Sequence, residues 1–142
     1  MITFVEENVK SKLTERRLIK LWIKKVAESY NFTLGDLCYI FCDDEKILEV
    51  NNEYLKHDYY TDIITFDYVE DGRLSGDMFI SVDTVLSNSV LFKTSYMDEL
   101  HRVVIHGVLH LCGLKDKAPE DEKKMRAAEE KALKLLESLR NS

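Results

Sequence analysis

The chain has 142 residues, of which 45% are hydrophobic, and this predicts a folded protein with a substantial buried core rather than a disordered chain. Its formal net charge of −6 argues against a protein that binds nucleic acid over its whole surface, although a local basic face is still possible. Three cysteines are an odd number and do not suggest a disulfide framework. Because the sequence has neither a bilayer-spanning apolar run nor a signal-peptide pattern, we expect a cytoplasmic protein with no membrane partner and a single domain over residues 1–142.

The hydrophobic pattern predicts four strands, at residues 2–5, 36–43, 63–66 and 76–81. It predicts five helices, at residues 15–30, 44–55, 82–92, 96–112 and from 119 onward, with Thr14 and Ser95 as caps and with either Ser81 or Asp83 opening the third. The nearly continuous apolar second strand is expected to be central, and the turn at residues 70–73 predicts an antiparallel hairpin. Together these elements predict an α+β fold in which a small mixed sheet of about four strands is covered by about five helices.

One face of the first predicted helix is strongly basic. Between positions 10 and 25 the chain carries one acid, Glu15, and seven cations: Lys10, Lys12, Arg16, Arg17, Lys20, Lys24 and Lys25. A solvated helix face is one interpretation. Contact with a polyanion such as an RNA backbone is the other, because the clustering is strong for so acidic a protein.

The stretch from His106 to Asp116 carries the main chemical signal. Its first half is apolar almost all round, which predicts a buried helix, and His106 and His110 are four residues apart on one face of it. Gly113 follows the last apolar residue and predicts a helix end that turns the chain back, so that Asp116 returns to the face with the two imidazoles. Two nitrogens and one carboxylate oxygen suit one zinc ion, with a fourth position left for water.

Other interpretations of this stretch compete with the metal site. A pair of histidines on a buried helix is often satisfied by hydrogen bonds in the core. A zinc peptidase needs a glutamate beside the first histidine as its general base, and that position is Gly107. A structural zinc site needs a fourth protein ligand, and Cys112 lies roughly 200° around the helix from His110. The pattern therefore favours an open, catalytic site.

These residues resemble the YbeY family of bacterial rRNA-maturation endoribonucleases. Residues 106–113 match the H-G-x-L-H-L-x-G part of its signature, and residues 50–54, 61–66 and 76–81 resemble its L-N-x-x-Y/W, P-T-D-V-L-S-F and G-D-I-x-I-S segments in the same order. The resemblance implies a small α+β metalloprotein with one Zn²⁺ per chain that cleaves single-stranded RNA. It also implies a role in processing the 3′ end of 16S rRNA and in maturation and quality control of the small ribosomal subunit.

The resemblance assigns His106, His110 and Asp116 as metal ligands. The third histidine of the family aligns with Asp116, and a carboxylate remains a competent ligand that is harder than imidazole. For the nuclease, the metal either polarises a phosphoryl oxygen or supplies a nucleophilic water, and attack by the 2′-hydroxyl of the RNA is the alternative.

A second departure from the family concerns catalysis. The family's arginine, which is thought to act on the substrate phosphate, aligns with Leu55, and leucine cannot do so. Lys56 and His57 are the candidates to supply this positive charge as catalytic residues. Because of this departure, a second possible function is a ribosome-assembly binding protein with a structural or vestigial metal. A third is a peptidase-like metal hydrolase whose general base lies elsewhere in the chain.

Further residues of these segments have expected supporting roles. Tyr54, Tyr59 and Tyr60 are candidates to stack unpaired bases, although each alone is more often a packing residue. Asp62 and Asp77 match family positions and are expected to hold the fold or to orient a metal-bound histidine.

Overall fold

The computed structural model describes residues 1–55 and 61–142. In chain order the elements are β1 (Ile2–Glu6), α1 (Arg16–Ser29), β2 (Thr33–Cys42), α2 (Asp44–Leu55), β3 (Ile63–Asp67), β4 (Arg73–Ser81), α3 (Val82–Leu91), α4 (Tyr96–Leu111) and α5 (Pro119–Arg140). The described part of the chain thus has five helices and four strands, which confirms the predicted α+β class. No helix in this part is both long and apolar enough to cross a membrane.

The four strands form one mixed sheet in the order β1-β2-β4-β3. β2 pairs in parallel with β1 and with β4, which confirms its predicted central place. β3 and β4 form the predicted antiparallel hairpin. Its turn contains Asp71 and Gly72 with φ angles of 52° and 74°, and glycine adopts this left-handed conformation without strain.

Helices cover both faces of the sheet. The main core lies between the sheet and α1 and α4, and it continues to α5, which packs on these two helices; a smaller cluster of Cys42, Ile47, Val50 and Ile64 lies under α2 on the opposite face. Two buried hydrogen bonds connect the layers of the main core. Trp22 of α1 donates its indole N–H to the Ala132 carbonyl of α5 at 2.7 Å, and Tyr39 of β2 donates its hydroxyl to the Val104 carbonyl of α4 at 2.9 Å.

The structure confirms one predicted helix cap, decides between two candidates for a second and differs for a third. Ser95 caps α4 by accepting the Asp98 backbone N–H at 3.0 Å, and Ser81 caps α3 in the same way. The prediction that Thr14 caps α1 is wrong. The residue before the helix is Glu15, which has a left-handed φ of 55° and makes no side-chain capping bond.

The position of α4 on the hairpin depends on a glycine. A Cβ atom at Gly107 would lie 2.5 Å from the sulfur of Met78 and 3.0 Å from Cδ1 of Ile63. The helix therefore approaches the sheet at a distance that leaves no room for a side chain at this position. This packing gives a physical reason why the glutamate of the peptidase pattern is absent there.

Candidate active site

A cleft of about 290 Å³ opens between α3, α4 and α5, beside the residue that precedes β3. Its described walls carry two arginines, one histidine and five carboxylates, namely Asp62, Glu99, Asp116, Glu122 and Glu129. Negative groups therefore outnumber positive ones. Such a cleft attracts cations and repels a bare phosphate.

Both ring nitrogens of His106 contact carboxylates in this cleft. Nε2 lies 3.2 Å from Oδ2 of Asp116, and Nδ1 lies 2.8 Å from Oε2 of Glu129. Burial alone would lower the pKa of His106, but the bond to Glu129 and the nearby negative charges raise it above its ordinary value of 6.5. The two carboxylates therefore stabilise the imidazolium form of His106, which can donate to both of them.

Glu129 is held between two cationic groups of α4. Its Oε1 accepts from Arg102 Nη1 at 2.9 Å, while its Oε2 bonds to the ring of His106. Burial alone would raise the pKa of Glu129, but the hydrogen bonds from His106 and Arg102 lower it below its ordinary value of 4.5. Although its side chain is only 8% exposed, Glu129 is therefore an ionised acceptor.

The structure brings together two of the three predicted metal ligands. Asp116 returns to His106 because Gly113, two residues after the end of α4, has a φ of 104° and turns the chain back as predicted. His110 lies one turn along the same helix and is exposed. Within residues 1–55 and 61–142, no three His, Cys, Asp or Glu side chains are grouped closely enough to hold a metal.

The His106–Asp116 pair nevertheless fits a metal in its donor chemistry and spacing. Tetrahedral zinc binds nitrogen and oxygen at about 2.0–2.1 Å, which separates two ligand atoms by roughly 3.3 Å. The observed separation of Nε2 and Oδ2 is 3.2 Å. The second ring nitrogen also has a carboxylate partner, as is usual for a histidine that ligates a metal.

Two further acids, Asp62 and Glu99, line the cleft. Burial raises the pKa of Asp62, and the charge of His106 offsets only part of this increase. Glu99 is only 4% exposed, and burial raises its pKa as well. Asp77 lies elsewhere, since its neighbour Met78 faces α4 and successive strand residues point to opposite faces of the sheet.

The comparisons with known proteins identify the family. The family model described as Endoribonuclease YbeY matches residues 2–137. The chain belongs to the YbeY endoribonuclease family. This confirms the resemblance drawn from the sequence motifs, and it favours a nuclease over the peptidase-like alternative.

Relatives of the YbeY family match along nearly the whole chain. A protein of Bacteroides fragilis named Endoribonuclease YbeY is 58% identical over 132 residues, which are 93% of this chain and 95% of that protein. One of Phocaeicola vulgatus with the same name is 56% identical over 136 residues, covering 96% and 99% of the two chains. A solution structure from Thermotoga maritima superposes with a TM-score of 0.67 at 26% identity, covering 97% of this chain and 93% of that one.

The departure from the YbeY pattern at Leu55 lies away from the described cleft. Leu55 is the last residue of α2, the helix on the other face of the sheet, and it is 42% exposed. The two residues predicted to replace the family's arginine, Lys56 and His57, lie outside the described residues. Their catalytic role stays a prediction.

The aromatic residue found in the cleft is not among those predicted from the YbeY motifs. Tyr54 is 62% exposed and packs edge-on against Phe66 with ring centroids 5.8 Å apart. Tyr59 and Tyr60 lie outside the described residues. Phe92, which directly follows α3, is 54% exposed and lines the cleft.

The basic face of α1 does not contribute to the cleft. Among the described residues that line the cleft, none belongs to α1 or to the segment before it. Part of this face is engaged locally. Arg16 lies 3.7 Å from a carboxylate oxygen of Glu6, and both Arg16 and Lys20 lie over the ring of Phe4 at 5.4 and 5.8 Å from its centroid.

Proposed function

We propose that this protein is a metal-dependent endoribonuclease that cleaves single-stranded RNA, with Zn²⁺ held by His106, His110 and Asp116. The observation that carries the proposal is the 3.2 Å approach of His106 Nε2 to Asp116 Oδ2 in an acidic cleft. Membership of a family whose relatives are named endoribonucleases supports RNA as the substrate.

The charge of the cleft supports a bound cation. A bound zinc supplies Lewis acidity toward a phosphoryl oxygen. The carboxylates of the cleft repel an approaching phosphate unless a cation offsets them. Arg126 lines the cleft and is exposed, so it is well placed to meet a substrate phosphate, beside the predicted Lys56 and His57.

The cleft also supports a single-stranded substrate. Phe92 presents a half-exposed aromatic ring to the cleft that His106 also lines, and unpaired bases are commonly held by stacking on such rings. The bases of a duplex are already stacked and paired, so they cannot use this ring without strand opening. We therefore propose that Phe92 contacts a base of the bound RNA.

The proposed biological role follows the YbeY resemblance. The substrate is the 3′ end of 16S rRNA, the partner is the small ribosomal subunit, and the protein acts as one cytoplasmic domain. A second candidate function is a ribosome-assembly binding factor with a structural or vestigial metal. It is favoured by Leu55, which cannot replace the arginine of the family at that position.

The first experiment combines metal analysis with an RNA cleavage assay. The wild-type protein, His110→Ala and the control Lys115→Ala are purified without chelator. All three are analysed for bound metal and incubated with one RNA sequence in single-stranded and duplex form. His110 and Lys115 are both exposed, so neither substitution disturbs the core. We expect about one metal per chain and cleavage of the single strand only, with both lost in His110→Ala and kept in Lys115→Ala.

Two results would contradict the nuclease proposal. If the wild type binds metal but cleaves no RNA with any added divalent ion, the binding-factor function is supported instead. If the wild type and His110→Ala bind metal equally, His110 is not a ligand and the proposed ligand set is wrong.

A further inference from the structure

We propose that Glu129 is a positioning residue for His106: it holds the imidazole with Nδ1–H directed at α5 and Nε2 directed into the cleft, and Arg102 fixes Glu129 for this task. The inference rests on the proposed function in one respect, since His106 is there a metal ligand. It adds a residue that lies outside the predicted ligand set, on a different helix.

The two carboxylate oxygens of Glu129 accept hydrogen bonds from two different residues of α4. Arg102 and His106 are four residues apart on α4, so both face α5 on the same side of the helix. Oε1 accepts a hydrogen bond from Arg102 Nη1 at 2.9 Å, and Oε2 lies 2.8 Å from His106 Nδ1. Both oxygens of the carboxylate are therefore engaged, which holds Oε2 against the ring of His106.

This contact determines which nitrogen of His106 remains for a ligand. A histidine ligates a metal through the lone pair of one ring nitrogen, and the other nitrogen then carries the proton. Because Glu129 accepts from Nδ1–H, the remaining nitrogen is Nε2. This is the atom that lies 3.2 Å from Oδ2 of Asp116 in the cleft.

The role of Arg102 is to supply the countercharge. The Glu129 side chain is only 8% exposed, and a buried carboxylate without a partner is strongly destabilising. Arg102 makes a second contact, from Nη2 to Oε1 of Glu130 at 3.1 Å, but the Glu130 side chain is 55% exposed. The adjacent acids thus share one arginine, and only Glu129 reaches His106. Glu130 is therefore the matched control.

The test compares Glu129→Gln with Glu130→Gln. Glutamine keeps the shape of the side chain but has one oxygen, and the charged Arg102 is the stronger donor for it. The amide NH₂ then faces Nδ1 of His106, so the neutral ring must carry its proton on Nε2. We expect Glu129→Gln to weaken Zn²⁺ binding by about 10–100-fold and Glu130→Gln to change it by less than about twofold.

Two measurements read out this effect without RNA cleavage. The dissociation constant of Zn²⁺ is measured by competition with a chromophoric chelator. The tautomer of His106 is measured by ¹H–¹⁵N NMR in the metal-free protein at a pH where the ring is neutral. We expect the Nδ1–H tautomer in the wild type and in Glu130→Gln, and the Nε2–H tautomer in Glu129→Gln.

Folding is controlled with a second variant. Replacing both members of a buried ion pair by apolar residues of similar size is often neutral for stability, so Arg102→Met combined with Glu129→Met is expected to fold. It removes the acceptor for Nδ1–H and should show the same loss of Zn²⁺ affinity.

The inference is overturned if folded Glu129→Gln binds Zn²⁺ as tightly as the wild type, or if the wild-type ring is already the Nε2–H tautomer. If the wild type binds no Zn²⁺, the proposed function fails. The tautomer of the metal-free protein then still decides the inference.

Discussion

The two carboxylate partners of His106, Glu129 and Asp116, differ in how deeply they are buried, and this difference separates their roles. The Glu129 side chain is 8% exposed and tied to Arg102, whereas the Asp116 side chain is 37% exposed and lies after the end of α4. The inner carboxylate is held by packing and a charged neighbour. The outer one faces the open cleft, so Nε2 is the ring nitrogen at which the proposed metal would replace a proton.

The His106–Glu129 pair predicts a pH dependence for the stability of the metal-free protein. The pKa of His106 is raised above 6.5, so its contribution is complete below pH 6.5 and is lost as the pH rises through the folded-state value. The pKa of Glu129 is lowered below 4.5, so its contribution is complete above pH 4.5 and is lost as the pH falls through the folded-state value. The pair therefore stabilises the fold most between these two limits.

The measurement compares the free energy of unfolding of wild type and Glu129→Gln by urea titration, with chelator, at pH 6 and pH 9. We expect the wild type to be more stable by about 1.5–3 kcal/mol at pH 6, the usual value for a hydrogen bond to a charged group, and by less at pH 9. The charge of Glu129 also raises the pKa values of Asp62 and Glu99, so their ionisation costs less in Glu129→Gln, and this shifts the difference in the same direction as the pH rises. A difference that increases with pH would show that His106 is not the proton-binding partner.

At the scale of the elements, local patterns predicted most of the fold. The hairpin, the central β2 and the glycine end of α4 follow from apolar runs and turn residues that act over a few positions. The start of α1 was missed for a local reason too. Asn8, Lys12 and Glu15 all have positive φ angles, and such a conformation in residues other than glycine is set by surrounding contacts rather than by residue type.

The helix starts supply a paired test of this point. Ser95→Ala removes the side chain that accepts the Asp98 N–H, so we expect a loss of about 1 kcal/mol in the free energy of unfolding. Thr14→Ala removes a residue that was predicted to cap α1 but does not, and we expect a change below about 0.5 kcal/mol. Thermal or urea unfolding of the two variants checks both values. Equal losses would place a cap at Thr14 after all.

The candidate site was less accessible to sequence reasoning because half of it comes from another helix. The spacing of His106, His110 and Asp116 is visible within one short stretch, whereas Glu129 lies 23 residues after His106 on a different helix. One signal was available. Glu129 is four residues after Met125 and three before Ala132, and both are buried, so it falls on the inward stripe of α5. A charge on such a stripe requires a partner.

At the scale of the whole molecule, opposite charges lie on different parts of the surface. The described lining of the cleft has an excess of acidic residues, and the basic face of α1 lies apart from it. A single-stranded RNA that reaches the cleft at one nucleotide can contact α1 with another part of its backbone. Under the proposed function, α1 would attract the strand and the cleft would cleave it.

This division predicts a salt dependence. Lys24 and Lys25 are exposed on α1, and we expect Lys24→Gln with Lys25→Gln to weaken binding of all single-stranded RNAs alike. The slope of log affinity against log salt should decrease by about 0.7 for each phosphate that the protein no longer neutralises. The control is Lys131→Gln with Lys134→Gln on α5, which removes equal charge. If both pairs of substitutions have the same effect, the basic face of α1 is only a solvated surface.

The contacts of Glu129 with Arg102 and His106 of α4 can form only after α5 has been synthesised. Chains are synthesised at about 5–20 residues per second and domains fold as units, so α5 emerges from the ribosome after the stretch that contains the ligands. Until α5 has docked, His106 has neither its partner Glu129 nor a closed wall beside it. The proposed metal site is therefore complete only after the last helix of the chain has been made and has packed against α4.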